Sequence, residues 1–170
     1  MTSPPDPSDN AGRADLGVRT HIRRETLVNV AANLVIAPLL DVAIHGREHT
    51  RPTWGTDGLV VELVTQAASV AVFGSAIPSY VTWRKVQAGS LAPLGRMRTE
   101  PAAILGRALL LGLATATLVG AVGAGALLLT GLTEVGLAAV LAIKAALGGA
   151  IAAVITPPAL RRTLGARDRD

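Results

Sequence analysis

Lys144 stands near the centre of VLAIKAALGGAIAAVITPP, residues 140–158, a stretch otherwise apolar and small and long enough to cross a bilayer. A charge at the bilayer centre costs about 2.5 to 3.5 kcal/mol on insertion scales, so this lysine is expected to face other helices and to meet an acid or water there. Two acids qualify. Glu62 lies near the start of the second apolar run with Gln66 one turn deeper on the same face, and Asp41 lies near the end of the first, with Asn29 and Asn33 a turn apart further in. Helical rise puts both acids about one turn inside the membrane boundary and Lys144 about two and a half turns in, a gap that a lysine stem partly spans by snorkelling. One chemistry is a polar path or pocket lined by Lys144, Glu62, Gln66, Asp41, Asn33 and Asn29, since intramembrane ionisable groups mark ion and proton routes. The other is a buried Lys144–Glu62 pair, with the amides as interhelical hydrogen-bond glue.

A second signal is HGREH, residues 45–49, which matches the H-x-x-E-H pattern of inverted zinc peptidases. That chemistry needs His45 and His49 on one helical face around zinc, with the glutamate between them activating water and a third ligand such as Asp41 or Asp57. Gly46 and Pro52 argue that the helix ends here, which leaves His45 and His49 as weak metal candidates on an exit loop. The sequence holds no Ser/His/Asp set, phosphate loop or dinucleotide fingerprint, so no catalytic residue and no cofactor are expected.

The elements that must position these groups are four apolar runs, 26–44, 59–83, 102–130 and 135–155, each near or above the length that spans a hydrocarbon core. Half the chain is hydrophobic and only 2% aromatic, with the apolar residues (Ala, Leu, Val and Gly) gathered in blocks, which is the composition of an all-α polytopic membrane protein and not of a globular core. Residues 1–24, rich in Pro, Asp, Ser and Arg with no apolar h-region, read as a disordered tail and not as a signal peptide. Residues 25–160 form the transmembrane domain. Pro157 and Pro158 are expected to stop the last helix, leaving 161–170 as a charged tail. Cysteine is absent, so disulfides, thiolate catalysis and sulfur-ligated metals are excluded.

Orientation follows from Lys and Arg. Arg13, Arg19, Arg23 and Arg24 precede the first span, Arg84, Lys85, Arg96 and Arg98 follow the second, and Arg161, Arg162, Arg167 and Arg169 follow the fourth, whereas only Arg47 and Arg51 sit on the other side. The positive-inside rule then places both termini and the second loop in the cytoplasm. These arginines flank apolar blocks without aromatic interleaving, so the net charge of +4 favours a membrane surface, and nucleic acid is not an expected partner. Arg107 is expected to snorkel to the cytoplasmic headgroups. Between helices in lipid, close approach depends on small residues at four-residue spacing. Gly112, Ala116, Gly120 and Ala124 on the third helix and Gly148, Ala152 and Thr156 on the fourth therefore predict a tight antiparallel pair of those two helices. Pro38 and Pro78, inside the first two helices, free backbone carbonyls near the bundle.

NVAAN in the first run, PTWG ahead of the second, RKVQAG after it and IKAALGG leading to TPP together resemble, in layout, small bacterial four-helix integral membrane proteins. The resemblance spans most of residues 26–160 and implies residence in a bacterial cytoplasmic membrane, with no activity attached. Small multidrug exporters share the helix count and a membrane glutamate, but theirs lies in the first helix among aromatics; fluoride channels share the size, but their phenylalanine-rich pore pattern does not occur here. The leading expectation is movement of a small solute, ion or proton through the polar cluster, with membrane lipids around it and a homo-oligomer or larger membrane complex as the assembly. A non-catalytic subunit or assembly factor that docks another membrane protein through Gly/Ala faces is the alternative. An intramembrane enzyme using Asp41 or Glu62 as general acid on a lipid-soluble substrate is a third.

Overall fold

The computed structural model describes residues 7–46, 49–91, 93 and 100–165, with side chains from Leu16 onward. Four helices dominate: α1 (Pro7–His45), α2 (Leu59–Gln87), α3 (Pro101–Thr130) and α4 (Leu137–Thr163), with the short strands β1 (Thr50–Pro52) and β2 (Glu134–Gly136) in the loops between α1 and α2 and between α3 and α4. Each helix is long and apolar enough to cross a membrane. Their ends follow local chemistry. Gly46 and Gly131 take the left-handed conformation, φ +71° and +65°, that a helix stop requires and that a Cβ disfavours. Pro101 opens α3, where its missing N–H costs nothing.

Two boundaries differ from the sequence expectation. α1 begins at Pro7, so residues 7–24, read as a disordered tail, are helical. Beyond its third turn, Val18 and Ile22 pack on Leu160 of α4 and on Leu164 just after it, burying four aliphatic side chains. α4 likewise runs through Pro157 and Pro158 to Thr163. The same contact explains this: Leu160 and Leu164 are fully buried, and their packing outweighs the backbone bonds that the prolines forfeit.

The helix partners also differ from expectation. α3 packs along α2, and α4 packs between α1 and α2, so the predicted α3–α4 pair is replaced by α2–α3 and α1–α4 pairs. The small residues still permit the close approaches. A Cβ on Gly112 would lie 2.4 Å from Val72 Cγ2 and 3.2 Å from the Ala68 carbonyl, and one on Gly120 would lie 3.0 Å from Val64 Cγ2. Gly148 meets Gln66 and Asn33, Gly149 meets Leu34 and Val30, and Ala152 joins Ala67 and Ala71 in the core. Spacing alone marks a small face without saying which neighbour it serves.

At one end of the molecule β1 and β2 pair antiparallel, with Arg51 opposite Val135. Thr53, fully buried, secures the pair: its Oγ1 donates to the Leu132 and Thr133 carbonyls at 2.9 and 3.0 Å. Strand alternation leaves Thr50 and Pro52 exposed and turns Arg51 inward.

Candidate functional site

The inward face of that end holds an ionic cluster built from four elements. Asp41 and His45 lie one turn apart on α1, Arg51 comes from β1, Glu62 from the first turn of α2 and Lys144 from the second turn of α4. Lys144 Nζ donates to Asp41 Oδ1 and to Glu62 Oε2. His45 reaches both acids, Nε2 lying 3.1 Å from Glu62 Oε1 and Nδ1 3.5 Å from Asp41 Oδ1. Arg51 Nη2 lies 3.8 Å from Asp41 Oδ2. Burial is deep, with the Asp41 side chain fully covered and that of Lys144 7% exposed. In so low a dielectric the two carboxylates are tolerable only because cations face them. Asp41 Oδ2, His45 Nδ1 and Glu62 Oε1 are nonetheless buried without a hydrogen bond, which leaves acceptor capacity in the cluster unspent.

The amides lie on the same side of the molecule but not on the ammonium. Gln66 Nε2 donates to the Lys144 carbonyl at 2.7 Å, a reach that the missing side chain of Gly148 permits. Asn33 Nδ2 donates to the Asn29 carbonyl and side-chain oxygen at 2.8 and 3.1 Å. Asn29 Nδ2 in turn donates to Thr156 Oγ1 at 2.7 Å and to the Gly74 carbonyl at 3.1 Å. That carbonyl belongs to the residue four before Pro78, whose ring has no N–H to offer it, and Thr156 Oγ1 donates to it as well, at 3.3 Å. The proline in α2 thus creates an acceptor that α1 and α4 both use.

α1 and α2 barely touch, because α4 lies between them, and a groove of about 860 Å³ runs the length of the gap. Asp41, His45, Glu62 and Lys144 line one end of it and Glu25 the other, with Asn29, Asn33, Thr65, Gln66 and Ser69 between and aliphatic walls on both sides. At the Glu25 end a second acid–base group ties α1 to α2: Lys85 Nζ lies 3.2 Å from Glu25 Oε1, and His21 Nε2 is 2.9 Å from Thr82 Oγ1 and its Nδ1 3.7 Å from Glu25. The sixteen residues from Glu25 to Asp41 span about 24 Å of helix, close to the thickness of a hydrocarbon core.

The H-x-x-E-H geometry does not form. α1 ends at His45, His49 is exposed in the following loop, and the intervening glutamate at position 48 lies outside the described residues. Asp57 is exposed and apart from the cluster. Another donor set does assemble: ligand atoms of Asp41, His45 and Glu62 lie within 4.8 Å of one another. The Lys144 ammonium already bonds both of these carboxylates, so a metal ion would have to displace a tethered cation, and this set is better matched to the lysine than to a metal.

Arg51, Glu25 and Thr156 carry parts of this arrangement that sequence reasoning assigned elsewhere or passed over. Arg51 counted only as a loop charge, and no hydropathy signal reveals that a strand pair folds it back over Asp41. Thr156 reads from sequence as a small packing residue, although its four-residue spacing from Ala152 and Gly148 puts it on the Lys144 face. The chain matches no family model, no curated protein and no solved structure.

Proposed function

We propose that the protein, seated in a bacterial cytoplasmic membrane with both termini inside, moves a proton or a small cationic solute along the α1–α2 groove. The observation that carries this reading is the groove itself, which joins two acid–base clusters, Asp41, Glu62, Lys144, His45 and Arg51 at one end and Glu25, His21 and Lys85 at the other. Intramembrane carboxylates paired with bases mark ion and proton routes. Lys144 then acts as a tethered counter-ion: an incoming cation or proton takes its place on Asp41 or Glu62, and the ammonium returns when the cargo leaves. His45, touching both acids, is the group suited to relay a proton to them. The amides between the clusters offer polar contacts along a path that is otherwise aliphatic.

Proteoliposomes with an imposed pH gradient test this. Wild-type protein is expected to dissipate the gradient or to concentrate a small fluorescent cation, and Asp41→Asn and Glu62→Gln to abolish the flux while remaining folded. Flux no greater than in empty vesicles, with and without added cation, would sink the reading.

A second reading rests on the openness of the same groove. Its rims, Val28, Ile36 and Ile44 on α1 and Phe73, Ile77 and Val81 on α2, present the aliphatic and aromatic edge that a helix of another membrane protein or a second copy could fill. Stoichiometric recovery of a membrane partner, lost on Ile36→Trp and Phe73→Ala, would favour this non-catalytic role.

A further inference from the structure

Asn33 stands eight residues from Glu25 and eight from Asp41, about 12 Å along α1 from either end of the α1–α2 groove. Gln66 from α2 comes to the same place: a Cβ on Gly148 of α4 would lie 3.1 Å from Gln66 Nε2 and 3.4 Å from Asn33 Cβ. Both amides spend their N–H groups inside the protein, Gln66 on the Lys144 carbonyl and Asn33 on Asn29. Among the described residues Asn33 Oδ1 and Gln66 Oε1 accept no hydrogen bond, and neither oxygen is buried. Ser69, exposed one turn beyond Gln66 on the same face of α2, leaves its hydroxyl without a bond to any described residue. The rims at this depth are apolar: Ile36 on α1 and Phe73 and Ile77 on α2 are 51%, 61% and 58% exposed. Since α1 and α2 barely touch, the groove opens sideways onto acyl chains at mid-membrane. An amide oxygen that faces hydrocarbon without a donor is destabilising, so a hydrogen-bonding guest is favoured there.

We propose that the cargo of the groove is a lipophilic primary amine, which enters sideways from the bilayer and rests with its nitrogen among Asn33, Gln66 and Ser69; this builds on the transport reading and names its substrate class. A neutral primary amine has two N–H donors and one lone pair. The site offers two amide oxygens and one hydroxyl, so every polar group finds a partner. The apolar body of the amine lies against Ile36, Phe73 and Ile77. The groove, at about 860 Å³, falls in the range that holds organic ligands and far exceeds what a proton or bare ion needs. One turn toward the strand pair, Glu62 suits the same nitrogen once it is protonated. Lys144 already shows that fit, being a primary ammonium on an aliphatic stem that donates to Glu62 and Asp41. The selection comes from unmet hydrogen-bond acceptors and not from net charge, so it holds with both carboxylates paired.

Full-length protein in neutral detergent at about pH 9, where more of the free base is present than at neutral pH, tests this with three probes: decylamine, decyltrimethylammonium and methylamine. Thermal unfolding is followed by intrinsic Trp fluorescence. Decylamine is expected to raise Tm by several degrees; decyltrimethylammonium, which has no N–H, and methylamine, which has no tail, are expected to leave it within a degree. Ser69→Ala and Gln66→Leu should each shrink the decylamine rise. No rise with decylamine overturns the proposal, as does an equal rise with decyltrimethylammonium, or a full decylamine rise in both variants. Binding is read here without a gradient, so it separates from transport: decylamine binding without flux in proteoliposomes keeps the site and removes the transport reading, whereas proton or small-cation flux without decylamine binding does the reverse.

Discussion

At the residue scale the decisive fact is that Lys144 has two acids, not one. Sequence depth allowed a Lys144–Glu62 pair and left Asp41 as a substitute; the fold puts both carboxylates on the ammonium and adds His45 and Arg51 around them. Removing the lysine alone therefore leaves two buried carboxylates facing one arginine and one histidine, and Lys144→Met is expected to cost about 3 to 5 kcal/mol of stability. Because Asp41 is the more deeply buried acid, Lys144→Met with Asp41→Asn should recover more of that loss than Lys144→Met with Glu62→Gln. Thermal unfolding of the three singles and two doubles in one detergent measures both couplings. Strictly additive losses in both cycles would mean that the ammonium is not what balances these acids. The identities of the polar residues were legible from their isolation in apolar runs; the number of partners per charge was not, because it depends on how helices and a returning loop are rotated against one another.

At the scale of the elements, the most informative feature is the bond set around Pro78. A proline inside α2 frees the Gly74 carbonyl, and Asn29 from α1 and Thr156 from α4 satisfy it, so one helix defect becomes a three-helix joint. Gly74 is part of the device: a Cβ there would stand 2.9 Å from Asn29 Nδ2. Asn29→Leu should then cost on the order of 1 kcal/mol, the usual size of an interhelical polar contact in membranes. In a Pro78→Ala background the cost should be smaller, since the restored N–H can bond Gly74 within the helix. Chemical or thermal unfolding of the two singles and the double reads this out, and an Asn29→Leu loss that is unchanged by Pro78→Ala would remove the proline from the explanation. The sequence already showed that Pro78 must free a carbonyl; which side chains would reach it required the α1–α4–α2 arrangement. The same holds for α1: its polar start gave no helix signal, and only the fold brings Val18 and Ile22 together with Leu160 and Leu164.

For the whole molecule, charge and hydropathy make a testable statement about orientation. The excess of Lys and Arg at the end bearing Arg84, Lys85, Arg161 and Arg162 predicts that this end faces the cytoplasm and the strand pair faces out. The absence of native cysteine simplifies the test: in intact cells a membrane-impermeant maleimide should label Asp57→Cys, and should label Gly89→Cys only after lysis. The opposite pattern would invert the molecule and place the Lys144 cluster at the cytoplasmic mouth of the groove. What the sequence determined by itself was everything carried by composition along one dimension: four helices able to span a membrane, the apolar blocks that form them, and the few charges inside those blocks that must be neutralised. Hydropathy and charge are local sums over consecutive residues, so they survive ignorance of the fold. What only the tertiary structure decided was adjacency: that α4 and not α3 separates α1 from α2, that the small faces of α3 and α4 serve other neighbours, and that Arg51 closes over Asp41. Those outcomes depend on helix rotation and on contacts between distant residues, where Gly and Ala spacing permits several partners and the summed fit of side chains selects among them.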